Sequence, residues 1–397
     1  MIEIKKNVFE VGSKHFDRRL FDELIPLPDG TTYNAYIIKG FDKTALIDTV
    51  DPVKTDVLLE HLKELKISKI DYVIAHHGEQ DHSGSIPAVL AKFPAAKVVT
   101  NEKCKVELMD HLLVAEDRFI VVADGEKLPL GGKTLEFIFT PWVHWPETFC
   151  TYLAEDKILF TCDFFGSHLA SSEAYVVDEC KVYESAKRYF AEIMMPFRSL
   201  IVKNIEKISK YDFTLIAPSH GPIYDKPKFI IDAYKDWTSD RVKNEVVFPY
   251  VSMHGSTKAM ADHFVEALAK KGITVKPFNL TETDIGELAI SLVDAATIVI
   301  GSPTVLAGPH PAAVYAAYLA NALRPKLRYA SIMGSFGWGG KTVETIKGML
   351  TNLKVELLEP VLVKGHPKEA DLKALDSLAQ TVYNKHQADS LVMKGEN

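Results

Sequence analysis

The chain has 397 residues, of which 47% are apolar and 25% charged, with a net charge of −7. That length exceeds what one hydrophobic core usually serves, so two domains are expected, and the even composition, with neither a polybasic nor a polyacidic tail, argues against nucleic acid as a partner. The opening residues, Met1-Ile-Glu-Ile-Lys-Lys-Asn-Val, carry charge and no apolar run long enough for a signal peptide or a membrane span, which points to a cytoplasmic protein with no membrane partner.

Taken in chain order, short β-rich runs recur up to about residue 244, at 32–38, 45–48, 72–75, 97–100, 135–139 and 157–160, with turn signals between them. Fewer helices interrupt them, the clearest at 52–65, 84–93 and 103–112. Polar, histidine-bearing loops follow several strands, which predicts a layered α/β sandwich rather than a simple βαβ array. The polar stretch from Tyr234 to Asn244 reads as a linker and divides the chain into 1–244 and 245–397. From Glu245 onward strands and amphipathic helices alternate strictly: strands at 245–251, 273–278, 296–301, 328–333 and 355–363, helices at 257–271, 284–292, 310–323, 341–353 and 367–385. Five apolar strands separated by helices predict a doubly wound parallel sheet. The four cysteines, Cys104, Cys150, Cys162 and Cys180, form no C-x-x-C pair, so neither a disulfide framework nor a cysteine-bound metal is indicated, and buried reduced thiols are expected.

The densest cluster of ligand-capable side chains is His77-Gly-Glu79-Gln-Asp81-His82, directly after the apolar run Tyr72-Val-Ile-Ala. In a loop leaving a strand, alternate residues turn to different sides, so His77 and Glu79 can serve one metal while Asp81 and His82 serve another. His144 in Pro141-Trp-Val-His-Trp-Pro, Asp163 in Phe160-Thr-Cys-Asp-Phe and His220 in Pro218-Ser-His-Gly-Pro each follow a strand in the same manner. A carboxylate such as Asp163 can bridge two cations about 3.5–4 Å apart, the separation usual in two-metal sites. Any one of these residues alone is an ordinary loop histidine or capping aspartate; the case rests on the set.

The motif H-x-[EH]-x-D-H, followed by His, Asp and His, resembles the metallo-β-lactamase superfamily over about residues 1–244. Zinc hydrolases of that superfamily generally carry histidine at the second motif position, whereas Glu79 here is similar to the flavodiiron proteins. Exchanging an imidazole for a carboxylate adds negative charge and oxygen donors, which favours a harder redox ion over tetrahedral zinc. Glu79, Asp81 and Asp163, with a bridging hydroxide, supply about the charge that two ferrous ions need in a poorly solvated pocket. The resemblance implies that His77, Glu79 and His144 hold one iron, that Asp81, His82 and His220 hold the other, and that Asp163 lies between them. His82 is the ligand most open to replacement by water, and no catalytic residue beyond the ligands is implied. His76 is expected to be structural and His168 at most to border the pocket.

In the second half, the first strand ends in Ser252-Met253-His254-Gly255-Ser256-Thr257, ahead of a helix starting near Lys258. This is a phosphate loop without a Walker lysine. The hydroxyls of Ser252, Ser256 and Thr257, the N–H groups freed by Gly255 and the positive end of the helix suit a terminal phosphate monoester. No G-x-G-x-x-G follows, so a mononucleotide fits better than a dinucleotide. Two further loops fall at the carboxyl ends of the third and fourth strands: Gly301-Ser302-Pro303-Thr304, and Gly334-Ser335-Phe336-Gly337-Trp338-Gly339-Gly340. Ligands of open α/β sheets bind at this edge. Amides of glycine-rich turns suit the pyrimidine edge of a flavin, and Trp338 or Phe336 suits a ring face. The three loops in register resemble flavodoxin, and specifically the flavodoxin half of flavodiiron proteins, which implies FMN. Phe336 stands where relatives often carry tyrosine, so stacking is kept without a hydroxyl.

The implied architecture is a metallo-β-lactamase-like αββα sandwich followed by a flavodoxin-like doubly wound parallel sheet. The implied function is that of a terminal oxidoreductase, with electrons passing from FMN to two Fe ions that reduce oxygen to water, nitric oxide to nitrous oxide, or both. The resemblance further implies a head-to-tail homodimer or homotetramer, in which Glu79 and Trp145 lie nearest the incoming flavin. With no rubredoxin-like cysteine pairs and no nicotinamide fingerprint, a separate electron donor such as rubredoxin or reduced coenzyme F420 is expected. Two alternatives carry less weight. Glu79 argues against a zinc-dependent hydrolase with a regulatory flavodoxin domain, and the intact ligand set argues against an electron carrier whose first domain has lost its metals.

Overall fold

The early β-rich runs form two sheets packed face to face. The computed structural model describes residues 1–393, and these group into two units: Met1–Phe190 with Phe197–Thr238, and Ala191–Pro196 with the chain from Ser239 onward. In the first unit one sheet has seven strands, in the order Ile2–Lys5, Val8–Glu10, Tyr36–Lys39, Thr44–Ile47, Tyr72–Ile74, Lys97–Thr100 and Phe119–Val121. The other has five, Lys127–Pro129, Thr134–Phe139, Phe149–Leu153, Ile158–Cys162 and Leu215–Pro218. Ile38, Ile47 and Ile74 of the first meet Phe137, Phe149 and Phe160 of the second in one buried cluster, as aligned sheets require.

The outer face of the seven-stranded sheet is covered by the helices Thr55–Glu64, Ile86–Lys92 and Glu102–Leu112, through Leu58, Leu62, Val89 and Leu108. Asn101 caps the last of these by accepting from the Cys104 N–H at 3.1 Å. Three helices that periodicity did not single out, Glu179–Tyr189, Arg198–Ile208 and Pro227–Thr238, complete the αββα arrangement. The first part of the expected linker, 234–238, is in fact the end of the third. Tyr234 and Trp237 sit three apart on its buried face, and the polar residues between them follow the opposite face. The next strand, Val242–Tyr250, starts ahead of the expected boundary at Glu245.

In the second unit the strands run in the order Thr274–Asn279, Val242–Tyr250, Ala295–Gly301, Tyr329–Phe336 and Glu356–Leu357, all parallel. This 2-1-3-4-5 order places a topological switch point beside the first strand. The expected strand at 355–363 is broken into Glu356–Leu357 and Val361–Lys364, because Pro360 has no N–H to give to the ladder. All four cysteines are free; Cys104, Cys150 and Cys162 are buried, whereas Cys180 is exposed, against expectation. Among the described residues no helix is long and apolar enough to cross a membrane.

Candidate metal centre and flavin cleft

Every ligand-type residue singled out in the first half follows the carboxyl end of a strand, and the sandwich brings these segments together. The strand Tyr72–Ile74 leads into His77 and Glu79, and the short helix Gln80–Ser83 then turns Asp81 and His82 inward. Ser83 closes this loop by donating to the Gly78 and Glu79 carbonyls at 2.8 and 2.9 Å. Thr49 holds it from the neighbouring strand, its hydroxyl donating to the His82 carbonyl at 2.6 Å.

The side chains sort into two donor groups: His77, Glu79, His144 and Asp163 in one, and Asp81, His82 and His220 in the other. Asp163 faces both. Its Oδ2 lies 3.5 Å from the Nε2 of His77 and of His144, and its Oδ1 lies 3.0 Å from His82 Nε2 and 3.3 Å from His220 Nε2. Glu79 Oε2 is 3.0 Å from His77 Nε2 and 3.1 Å from His144 Nε2, and Asp81 Oδ2 is 2.9 Å from His220 Nε2.

Two imidazoles are aimed by hydrogen bonds from behind. His77 Nδ1 donates to Glu147 Oε1 at 2.6 Å, and His220 Nδ1 donates to the Thr32 carbonyl at 2.5 Å, so each turns an Nε2 lone pair inward. His82 Nδ1 is buried with no such partner among the described residues, so nothing behind this ring fixes its direction in the same way.

The electrostatics are those of a site built for cations. Burial alone would lower the pKa of His82, but the charges of Asp163 and Asp81 raise it to about 9. His144 is likewise depressed by burial but raised to about 9 by hydrogen bonds to Asp163 and Glu79. Burial opposes ionisation of Asp163, yet the charge of His82 and hydrogen bonds from His144 and His82 hold it well below the carboxylate range. Apart from the facing imidazoles, both oxygens of Asp81 and of Asp163 are buried without a hydrogen-bond partner among the described residues. Such unsatisfied carboxylates are stable only beside cations, and the donor set of four imidazoles and three carboxylates fits two oxygen-preferring metals.

Other residues border this site. The His76 ring spans Asp48 at 2.8 Å and Thr151 at 2.7 Å. His168 packs on His220, with its Nδ1 2.9 Å from the Thr31 hydroxyl and its Nε2 without a partner among the described residues. Three contributors had no sequence signal: Glu147, the buried phenol of Tyr189, whose pKa burial and then the charge of Asp163 raise, and Asp22. Asp22 tips the hairpin Leu20–Phe21 and Ile25–Pro26 with φ of +48°, and burial followed by the charge of Glu79 pushes its carboxyl up to about 7.

In the second unit, a cleft of about 150 Å³ is lined by Met253, His254, Ser256, Thr257, Pro303, Thr304, Ser335, Phe336 and Gly337, together with Gly365, which sequence reasoning missed. Gly255 starts the helix Ser256–Ala269 with φ of +85°, a conformation that favours glycine. Gly334 is required for a different reason: a Cβ there would meet the Ser302 carbonyl oxygen at 1.9 Å. Of the other expected residues, Ser252 caps the helix start by accepting from the Lys258 N–H. Ser302 bonds within its own loop, accepting from the His310 N–H at 2.9 Å. Trp338 is 69% exposed, and neither it nor Gly339 lines the cleft. Hydroxyls and free amides at a helix N-terminus fit a phosphate monoester.

Residues 31–221 match the ODP family beta lactamase, and residues 249–375 match Flavodoxin. The nitric oxide reductase of Moorella thermoacetica is 34% identical over 96% of this chain and 98% of its own. The chain belongs to the flavodiiron proteins. The coenzyme F420H2 oxidase of Methanothermobacter marburgensis is 34% identical over 81% of this chain and 83% of its own. The rubredoxin oxygen:oxidoreductase of Desulfovibrio gigas superposes with a TM-score of 0.93 at 29% identity, covering 98% of both chains. These likenesses favour a flavodiiron oxidoreductase over the zinc-hydrolase alternative, and the metallo-β-lactamase-like and flavodoxin-like folds are as expected.

Proposed function

We propose that this flavodiiron protein takes electrons at FMN and delivers them to two irons held by His77, Glu79 and His144 on one side and Asp81, His82 and His220 on the other, with Asp163 between. The observation that carries this reading is the division of Asp163, whose Oδ2 addresses the first group and Oδ1 the second. When bound, the two irons supply electrons and open coordination positions to a diatomic substrate, oxygen or nitric oxide. The protein's own contribution is to hold the donors and to keep the pocket dry. Phe21 packs against His168 with ring centroids 4.9 Å apart, and Tyr189 packs on the other side of His168 at 4.9 Å, so apolar surface borders the donor groups.

For FMN, the residues that fit are Ser252 to Thr257 at the phosphate, with Pro303, Thr304 and Ser335 to Gly337 bordering the cleft; Trp338, exposed beside it, is the residue free to meet a ring face. The assembly is a cytoplasmic homodimer or homotetramer that draws electrons from rubredoxin or reduced coenzyme F420, a reading supported by the resemblance and by the names of the relatives. Metal and flavin analysis of protein purified from iron-supplemented cells tests the whole. Two irons and one FMN per chain support it; two zincs and no redox turnover would overturn it.

A further inference from the structure

The two donor groups differ in how far they open to solvent. In the first, the side chains of His144 and Glu79 are 17% and 14% exposed. In the second, those of Asp81, His82 and His220 are 4%, 1% and 2% exposed. A ligand arriving from solvent therefore meets the first group directly and reaches the second only past whatever covers it.

That cover is aromatic. Phe21, Tyr33 and Tyr189 stand around His220 with ring centroids at 6.1, 6.0 and 5.9 Å. Tyr33 and Tyr189 belong to the strand Thr31–Tyr33 and the helix Glu179–Tyr189, whereas Phe21 comes from the hairpin Leu20–Phe21 and Ile25–Pro26. Alternation along its strand leaves Leu20 exposed and turns Phe21 inward, where it is buried. The turn that closes the hairpin is tight. The Leu24 N–H donates to the Phe21 carbonyl at 3.0 Å, across Asp22 and Glu23 with φ of +48° and +52°, a conformation that residues other than glycine rarely adopt. Next to the Phe21 ring, at 4.9 Å, lies the His168 ring, whose Nε2 is buried without a partner among the described residues. A water or an anion admitted here would find a hydrogen-bonding group; a phenyl ring packs here instead.

We propose that Phe21 is a specificity-determining residue: its ring lets a small neutral diatomic reach the second donor group and keeps hydrated anions out. This rests on the reading of the two groups as iron sites. Oxygen and nitric oxide carry no charge, so passing an apolar ring costs them little, whereas an anion must first shed its water. Anions are thereby confined to the first group, and the second keeps its open position for the substrate.

The test uses the full-length, iron-loaded protein with azide as the anionic probe. Azide uptake by the oxidised protein, followed by its absorption band with ferric iron, gives the number bound per chain and the affinity of each; nitric oxide uptake by the reduced protein gives the neutral comparison. The wild type is expected to take up one azide per chain. Phe21→Ala is expected to take up a second, with an affinity for it at least about tenfold above that of the wild type, a common effect of altered pocket size, and with nitric oxide affinity unchanged. Leu24→Ala, on the same hairpin but exposed, should match the wild type. Two azides in the wild type, no second azide in Phe21→Ala, or the same second azide in Leu24→Ala would each overturn the proposal. If Phe21→Ala does not fold, Phe21→Leu, a smaller change in the same direction, decides by the same readings. Fewer than two irons per chain in the wild type would instead fail the ligand assignment, a result distinct from two irons with unselective azide uptake.

Discussion

The metal-free protein should release protons when it is loaded. His82 and His144 titrate at about 9 without metal, and His77, lowered by burial but raised by its bonds to Glu147 and Glu79, stands well above its ordinary value. At pH 7 all three rings are protonated, yet a histidine must be neutral to ligate. For His82 and for His144 the two units between pH 7 and 9 correspond to about 2.7 kcal/mol each, at about 1.36 kcal/mol per unit. Because His77 and His144 belong to one donor group and His82 to the other, affinity between pH 6.5 and 8 should rise about a hundredfold per pH unit in the first group and about tenfold in the second. Anaerobic titration of the metal-free protein with ferrous ion, or with zinc as a redox-silent probe, in weakly buffered solution reads this directly. About three protons should be released per chain at pH 7. Release of fewer than one, with an affinity independent of pH, would refute the reasoning. The stability sign follows from the same shifts. Raised imidazoles stabilise the metal-free fold fully below pH 6.5, and that contribution is lost as pH rises through about 9. The metal-free protein should therefore melt earlier at pH 9 than at pH 6.5, and the loaded protein should not.

Asp163→Ala should remove both ions, because each carboxylate oxygen addresses a different donor group, whereas Asp81→Ala should leave one ion on His77, Glu79 and His144; metal analysis separates the two, and equal retention would contradict the bridging role. Thr257→Val deletes a hydroxyl 3.0 Å from that of Ser335 in the flavin cleft and should weaken FMN about tenfold, one charge-assisted hydrogen bond, as read from the fluorescence of flavin released on dilution. His386 is fully buried between the Thr297 hydroxyl at 2.7 Å and the Asn244 amide oxygen at 2.8 Å, and burial lowers its pKa to about 4. Between pH 6.5 and 4 the unfolded chain takes up a proton that the folded form refuses, so the flavodoxin unit should lose up to about 3 kcal/mol on acidification, a loss absent from His386→Gln in thermal melts at pH 7 and 5.

Periodicity made the second half legible almost element by element, since the central strands Val242–Tyr250, Ala295–Gly301 and Tyr329–Phe336 are largely buried and apolar and helices alternate with them. It failed where that rule bends. Pro360 split the last strand, and the helix ending at Thr238 was obscured because its last turns run into a polar stretch, where Tyr234 and Trp237 are the large apolar residues of the buried face. The helices Glu179–Tyr189 and Arg198–Ile208 were obscured similarly: much of their length is charged, and their apolar stripes are narrow.

At the metal centre the divide between legible and hidden residues has a chemical basis. The donors proposed for iron here are histidines and carboxylates, so His77, Glu79, Asp81, His82, His144, Asp163 and His220 stood out by their identity and by their places after strand ends. A residue that merely receives an imidazole N–H faces no such demand. His77 gives its proton to the carboxylate of Glu147, 70 positions away in sequence, whereas His220 gives its proton to the backbone carbonyl of Thr32, a group every residue possesses. One job done by two unrelated groups leaves no pattern to read. The same contrast has a functional consequence, because an anionic acceptor draws the Nδ1 proton more strongly than a neutral one and makes the opposite nitrogen a stronger donor. His77 should thus bind its ion more strongly than His220 binds its own. Replacing Glu147 with glutamine, which keeps an acceptor but removes the charge, should narrow the difference between the two ions' release rates, while Thr32→Ala, which keeps the carbonyl, should leave that difference largely unchanged.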